Sequence, residues 1–406
     1  MKLLLSDKFI NIIFRAATIL LKFLLSIIII KKISIEEYGV YGVFQSTVII
    51  MSFVLGIDFY AYSSREILKK NAHNFNFYFS NQLLLHAFSY IIILPLTYLI
   101  FYLGILDKKY LILFYLILVT EHLSQELYRM LIILKKSVTA TIILFVRSGL
   151  WVIILYFVWE EGIMSPTLNS LLILWLSAAL LSIIIGFAKI KFKWESEYDF
   201  SWIVKGVRIA FPFFIGTVLY KLIEFSGRYF LNYYWTSVEV GIFTFFSSVA
   251  SILFVFVQTI VIIVIYPELL ESKNKGHDSF LKKFKYFKNQ ILTFTTLGTV
   301  LSLIFIYPLL LFLDNSLFFE NLLSYIILLI SSFIFCFSFI PHYALYTYKF
   351  DSGILFAVIL GTITNFMFSF IFVPLYGLLG ASVSQLTAFI VIYIVKLILW
   401  KKKKPF

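Results

Sequence analysis

Lys221, Glu224 and Arg228 recur at i, i+3 and i+7 inside an apolar stretch, a spacing that sets all three on one helical face. An ionisable side chain deep in hydrocarbon is costly unless it meets a partner or a wet cavity, so such residues are functional candidates. Two readings of the row stand. In one, Lys221 pairs with Glu224 and Glu224 with Arg228, and the neutral row ties its helix to its neighbours. In the other, the face lines a central cavity where net positive charge meets an anionic substrate, and Tyr220 and Tyr229 stack on sugar rings. Arg15 and Lys22 form a second set, seven apart and on one face. Arg15 is near enough to the end of its run to snorkel, whereas Lys22 falls near the middle. Glu121, His122, Glu126 and Arg129 form a third set, whose two carboxylates and arginine either pair internally or relay protons; Arg147 stands single.

Chemistry that is absent narrows the classes further. No Gly-x-x-x-x-Gly-Lys-Ser/Thr loop occurs, which excludes nucleotide hydrolysis through a P-loop. The five histidines, His73, His86, His122, His277 and His342, are scattered along the chain, no His-Glu-x-x-His occurs, and no metal site is expected. Cys336 is the one cysteine, in an apolar run, so no disulfide framework exists. His342 follows Pro341 at an expected helix break, where a membrane acyltransferase could use a buried imidazole, but nothing beside it forms a recognisable constellation. The chain is read as no enzyme, and no cofactor is implied.

The elements that must position these residues are membrane-spanning helices. A chain that is 61% hydrophobic, 20% aromatic and 14% charged cannot bury that much apolar surface in a soluble core of 406 residues. Runs of roughly twenty apolar residues, enough to cross about 30 Å at 1.5 Å per residue, fall near 9–30, 40–61, 79–103, 110–130, 138–158, 168–188, 208–231, 240–266, 289–313, 321–346, 353–374 and 378–399. The expected fold is an all-α polytopic membrane protein with twelve transmembrane helices. The first run reads as an uncleaved span, because Arg15 and Lys22 interrupt it and no small-residue cleavage signal follows.

Lys and Arg set the direction, since positive residues in short loops stay on the cytoplasmic side. With the N-terminus inside, inside segments hold 24 of the 34 Lys and Arg, from Lys2 and Lys8 through Arg65, Lys69 and Lys70 to the 401–404 lysines, and outside segments hold 4. Both termini are then cytoplasmic. The net charge of +13 therefore reports topology and contact with anionic membrane lipids, not nucleic-acid binding. Residues 189–207 mix charges with Trp194, Tyr198 and Trp202 and read as a cytoplasmic interfacial linker. The linker separates an N-terminal six-helix bundle, 1–188, from a C-terminal one, 208–406, with a basic tail.

An internal echo supports two pseudo-symmetric halves. Glu37, Gly39, Phe44 and Ser46 return 202 positions later as Glu239, Gly241, Phe246 and Ser248. The same offset sets Lys22 against Glu224 and Arg15 against Thr217, so the scaffold repeats and the charges do not.

Three stretches carry a family resemblance: Ile35-Glu36-Glu37-Tyr38-Gly39-Val40-Tyr41, Arg208-Ile209-Ala210-Phe211-Pro212, and the Pro-x-Tyr-Gly-x-x-Gly-Ala turn from Pro374 through Gly377 and Gly380 to Ala381. With the length and the span count, the chain resembles the bacterial polysaccharide repeat-unit flippases, the O-antigen and teichoic-acid transporters of the multidrug/oligosaccharidyl-lipid/polysaccharide exporter superfamily. The resemblance implies a V-shaped pair of six-helix bundles in the bacterial inner membrane. It also implies alternating access that carries a polyprenyl-pyrophosphate-linked oligosaccharide to the periplasmic leaflet, in the service of O-antigen or lipopolysaccharide synthesis. Implied partners are that lipid-linked oligosaccharide, membrane lipids and a polysaccharide polymerase. On this reading Lys221 and Arg228 bind the headgroup, Lys22 and Arg15 assist, and Glu224 is a counter-ion or coupling group. The alternatives are a multidrug and toxin extrusion antiporter, whose cavity should be acidic, a peptidoglycan-precursor flippase, which usually carries additional helices, and a membrane-bound transferase.

Overall fold

The structure, a computed structural model, describes residues 7–69, 74–195 and 197–403. Lys2, Lys70 and Lys404, three of the cations that orient the chain, lie outside them, as does His73. In hydrocarbon a backbone must satisfy its own polar groups, which a helix does within one segment; among the described residues there is no strand. Two compact units divide the chain, Met1–Val218 and Leu219–Phe406.

The first unit comprises α1 (Asp7–Lys32), α2 (Ile35–Gly56), α3 (Tyr60–Lys69), α4 (Phe75–Tyr102), α5 (Leu111–Ile133), α6 (Ser137–Phe145), α7 (Trp151–Glu160), α8 (Leu168–Ile190) and the first half of α9 (Phe200–Tyr234). A π-turn, Val146–Leu150, joins α6 to α7. At the middle is α5, packed on α2, α3, α4, α6 and α8. Its neighbour α2 is buried nearly all round. Small residues allow that close approach, and the hydroxyls of Ser46, Thr47 and Ser52 donate to carbonyls one turn back at 2.6–2.7 Å, so none is left unpaired.

Residues 191–195 and 197–199 strap onto the start of α4. Ser80 Oγ accepts from the Glu195 amide at 3.0 Å and Asn81 Oδ1 from the Asp199 amide at 2.8 Å. Trp194 and Tyr198 are exposed, but Trp202 is not: its ring packs 5.1–5.3 Å from those of Phe59, Tyr62 and Tyr78. Gly206 leaves room for that cluster, since a Cβ there would stand 2.4 Å from the Phe59 ring.

The second unit holds the rest of α9, α10 (Ser237–Val257), α11 (Ile263–Asn274), α12 (His277–Leu313), α13 (Ser316–Glu320), α14 (Leu322–Thr347) and α15 (Asp351–Lys403). Another π-turn, Gln258–Ile262, joins α10 to α11. Here α14 is central, packed on α10, α12 and α15.

Among the described residues, ten helices are long and apolar enough to cross a membrane. Two features separate that number from the twelve expected runs. The helix α5, whose run is interrupted by polar residues that include Glu121, His122, Glu126 and Arg129, is not among the ten, and α15 covers the last two runs in one 53-residue element broken at Gly377. The internal echo falls at equivalent places. Ser34 caps α2 by accepting from the Glu37 amide, and Thr236 caps α10 in a reciprocal box with Glu239. Glu37 and Glu239 are thus both third in their helices.

The Pro-x-Tyr-Gly-x-x-Gly turn has a physical account at both glycines. Gly377 adopts φ 53° and ψ −122°, a region that L side chains rarely enter. Trp235 closes over it, donating its indole N–H to the Val373 carbonyl at 2.8 Å. A Cβ at Gly380 would stand 2.2 Å from the Phe372 carbonyl oxygen, a backbone atom that cannot move alone. Gly380→Ala should therefore cost about 1–3 kcal/mol by overpacking. A lowered unfolding midpoint in detergent checks this; an unchanged midpoint contradicts the turn described here.

Candidate functional site

Half-way along α9, past Pro212, lie the three residues at i, i+3 and i+7. Lys221 Nζ stands 2.7 Å from Glu224 Oε2, and both are half-buried. One turn on, Arg228 is 4% exposed. Its guanidinium packs 4.9 Å from the Phe225 ring centroid and donates from Nη2 to Ser247 Oγ on α10 at 3.3 Å. Behind this face Ser226 donates to Asn365 Oδ1 of α15 at 2.6 Å, which fixes the rotation of α9 against α15. Lys221 and Glu224 neutralise one another within the row. Tyr220 stacks on Phe335 at 5.0 Å and on Phe389 at 6.1 Å, so protein rings occupy a face expected for sugar.

Arg15 and Lys22 belong to the first unit. Arg15 Nη2 donates to the Tyr128 hydroxyl of α5 at 3.2 Å, which ties α1 to the central helix. Lys22 is exposed on α1.

The charges of α5 are answered inside the protein. Glu121 accepts from the Trp175 indole and lies 3.5 Å from Arg147 Nε, so Arg147 has a carboxylate partner. Glu126 pairs with Arg129, whose guanidinium lies 3.7 Å from the Tyr60 ring centroid on α3. Gln82 of α4 donates to Glu126 Oε2 at 2.6 Å, and Ser63 of α3 donates to Gln82 Oε1 at 2.7 Å.

The histidines expected to be scattered are partly brought together. His86 and His122 pack edge to face at 4.7 Å, and His86 Nε2 stands 3.8 Å from Glu126 Oε2. His86, His122 and Glu126 are 2%, 1% and 1% exposed, and the donor atoms they offer lie within 4.8 Å of one another. That arrangement could hold a metal ion, where the sequence had suggested none. Packing of α4 on α5 makes it, and no short motif announces it.

In the second unit Lys396 of α15 is 4% exposed. His342, with which it interacts electrostatically, keeps a buried Nδ1 without a partner and lies 5.0 Å from the Tyr343 ring. Lys396 went unremarked because it falls close to the basic C-terminal run; its place within the last apolar run was the available signal.

Helices long and apolar enough to span a bilayer, with ion pairs among them, define an all-α polytopic membrane protein. The chain belongs to the polysaccharide biosynthesis protein family, whose sequence model matches residues 4–273. No curated protein matches it. Among solved structures it is similar to a multidrug resistance MATE family transporter of the MOP superfamily in its inward-facing conformation, with a TM-score of 0.71 and 14% identity over 97% of this chain and 98% of that one. It is also similar to the lipid II flippase MurJ in an inward closed conformation, with a TM-score of 0.68 and 17% identity over 96% of this chain and 87% of that one. An outward-facing MATE family transporter gives a TM-score of 0.59 at 14% identity, over 98% of this chain and 96% of that one. At these identities the likeness is one of fold.

The Glu126–Arg129 pair yields a prediction on stability. Arg129→Met strands a buried carboxylate and should cost about 3–5 kcal/mol, whereas adding Glu126→Gln should recover most of the loss. Unfolding of the single and double variants in detergent checks this; equal losses in both contradict it.

Proposed function

We propose that the protein is a flippase that moves a polyprenyl-pyrophosphate-linked oligosaccharide repeat unit from the cytoplasmic to the periplasmic leaflet of a bacterial inner membrane, with both termini in the cytoplasm. It acts as a transporter, not as an enzyme, and supplies its product to a polysaccharide polymerase. The observation that carries this reading is Arg228, a cation 4% exposed in a spanning helix of a polysaccharide biosynthesis family member. The shared fold with a lipid II flippase supports the same class of cargo.

The geometry suits a pyrophosphate. Arg228 offers a planar fork of donors to phosphate oxygens, and Phe225 beneath it keeps the guanidinium from collapsing onto the backbone. Lys221, one turn away, is held by Glu224 in the absence of cargo. An arriving phosphate competes with Glu224 for Lys221, so the carboxylate acts as a counter-ion whose release accompanies loading. At about 4 Å and an effective dielectric near 20, each phosphate–cation contact is worth roughly 4 kcal/mol before desolvation is subtracted. Arg15 and Lys22 are the assisting cations of this reading, and Lys22 is exposed on α1. The polyprenyl tail needs no protein site, since it is soluble in the bilayer.

A second reading, a multidrug cation antiporter, is favoured by the fold shared with MATE family transporters and by Asp58 and Glu126 buried together in the first unit. The two readings part on α9, where a cation carrier has no use for Arg228.

Arg228→Ala and Lys221→Ala should each lower polysaccharide export at least about tenfold, because a charge-assisted hydrogen bond is worth roughly 1.5–3 kcal/mol and 1.4 kcal/mol is a factor of ten. Surface polysaccharide is measured in cells that depend on the variant, with its membrane level checked alongside. Normal export by both variants removes the proposal.

A further inference from the structure

We propose that His86, His122 and Glu126 bind a divalent transition-metal ion of the zinc type in the first unit. The donor set comes first. Two imidazoles and a carboxylate are the ligands that zinc takes in three-ligand protein sites. His122 and Glu126 are four apart on α5 and so share a face, and α4 brings His86 opposite them. Their donor atoms lie within 4.8 Å of one another. Bonds of about 2.0–2.1 Å to a tetrahedral ion set ligands roughly 3.4 Å apart, so small rotations of three side chains close the site.

The nitrogen atoms of His122 give an independent reason. His122 Nε2 is buried and has no hydrogen-bond partner. The other nitrogen of His122 is engaged, Nδ1 lying 2.7 Å from the Tyr90 hydroxyl. An outer hydrogen bond of that kind orients a metal-bound imidazole and leaves Nε2 to the ion. Space is provided on the same side. A Cβ at Gly56 would stand 3.0 Å from His122 Nε2 and 3.8 Å from Glu126 Oε1. The bare backbone at the end of α2 therefore leaves open the volume in front of the unpartnered nitrogen.

Charge favours a cation there. Past Gly56 the chain turns through two left-handed residues, Ile57 at φ 50° and Asp58 at φ 48°, a costly conformation for a β-branched side chain. That turn brings Asp58, itself buried, into electrostatic reach of Glu126 and Arg129. Two carboxylates thus face one guanidinium. Gln82 bridges two of the ligands, its amide donating to Glu126 Oε2 at 2.6 Å and lying 3.3 Å from His86 Nε2. It holds them where an ion would, and its hydrogen bonds are exchanged for metal bonds on loading. Arg129 keeps its place on the Tyr60 ring when the carboxylate turns to the ion. The bound ion clamps α4 to α5.

The test uses the full chain, purified in detergent and stripped with a chelator. Zn²⁺ is titrated calorimetrically, and Co²⁺ is added separately to read the ligand field from its visible absorption. The wild type should take one ion per chain, with a tetrahedral Co²⁺ spectrum and an unfolding midpoint raised by Zn²⁺. His86→Ala and His122→Ala should each weaken binding more than tenfold and abolish the midpoint shift, while His277→Ala, at an exposed histidine of α12, should change neither. Gly56→Ala keeps all three donors but fills the space, and should also weaken binding; it serves if a histidine variant does not fold. Absence of a saturable ion, or equal binding by wild type, His86→Ala and His122→Ala, overturns the site.

Discussion

A charge placed inside an apolar helix must be answered by the protein, because hydrocarbon offers it nothing. The first unit is arranged around that constraint. Its central helix, α5, is the one whose composition is too polar for a lipid-facing span, and it is surrounded by α2, α3, α4, α6 and α8. Burial by protein on all sides is what permits Glu121 and Glu126 to exist there. Each has a cation: Arg147 from the π-turn between α6 and α7, and Arg129 one turn further along α5. Removing any one of these partners leaves an uncompensated charge, which costs more than the pair contributes.

The second unit holds buried charges on α9 and α15. Lys221 and Glu224 are a closed pair, and Arg228 lies against the Phe225 ring and donates to the Ser247 hydroxyl. Lys396 is likewise buried on α15, and no carboxylate pairs with it among the described residues.

Much of the fold was legible because membrane spans depend on local properties. Hydropathy located the helices, and the Glu37 and Glu239 echo marked two helix starts whose caps, Ser34 and Thr236, are also 202 apart. Span counting met its limit at Gly377, where backbone geometry and not composition decides whether α15 is one element or two. The site was legible only along single helices. Spacing put Lys221, Glu224 and Arg228 on one face, but whether Tyr220 was free for sugar depended on Phe335 and Phe389, which lie far along the chain. His86 and His122 are adjacent only because α4 packs on α5, and Arg147 finds Glu121 only across a helix interface.

The central claim is that α9 carries an anionic lipid headgroup through the membrane by way of Arg228. It is tested most directly by reconstituting the purified protein in liposomes with a fluorescent polyprenyl-pyrophosphate-linked sugar and adding a membrane-impermeant quencher. The account predicts that the lipid in both leaflets becomes quenchable with the wild type, and that only the outer-leaflet fraction does so on the same timescale with Arg228→Met. Equal quenching by the two proteins, or transport of a cationic dye with no movement of the lipid, would contradict it.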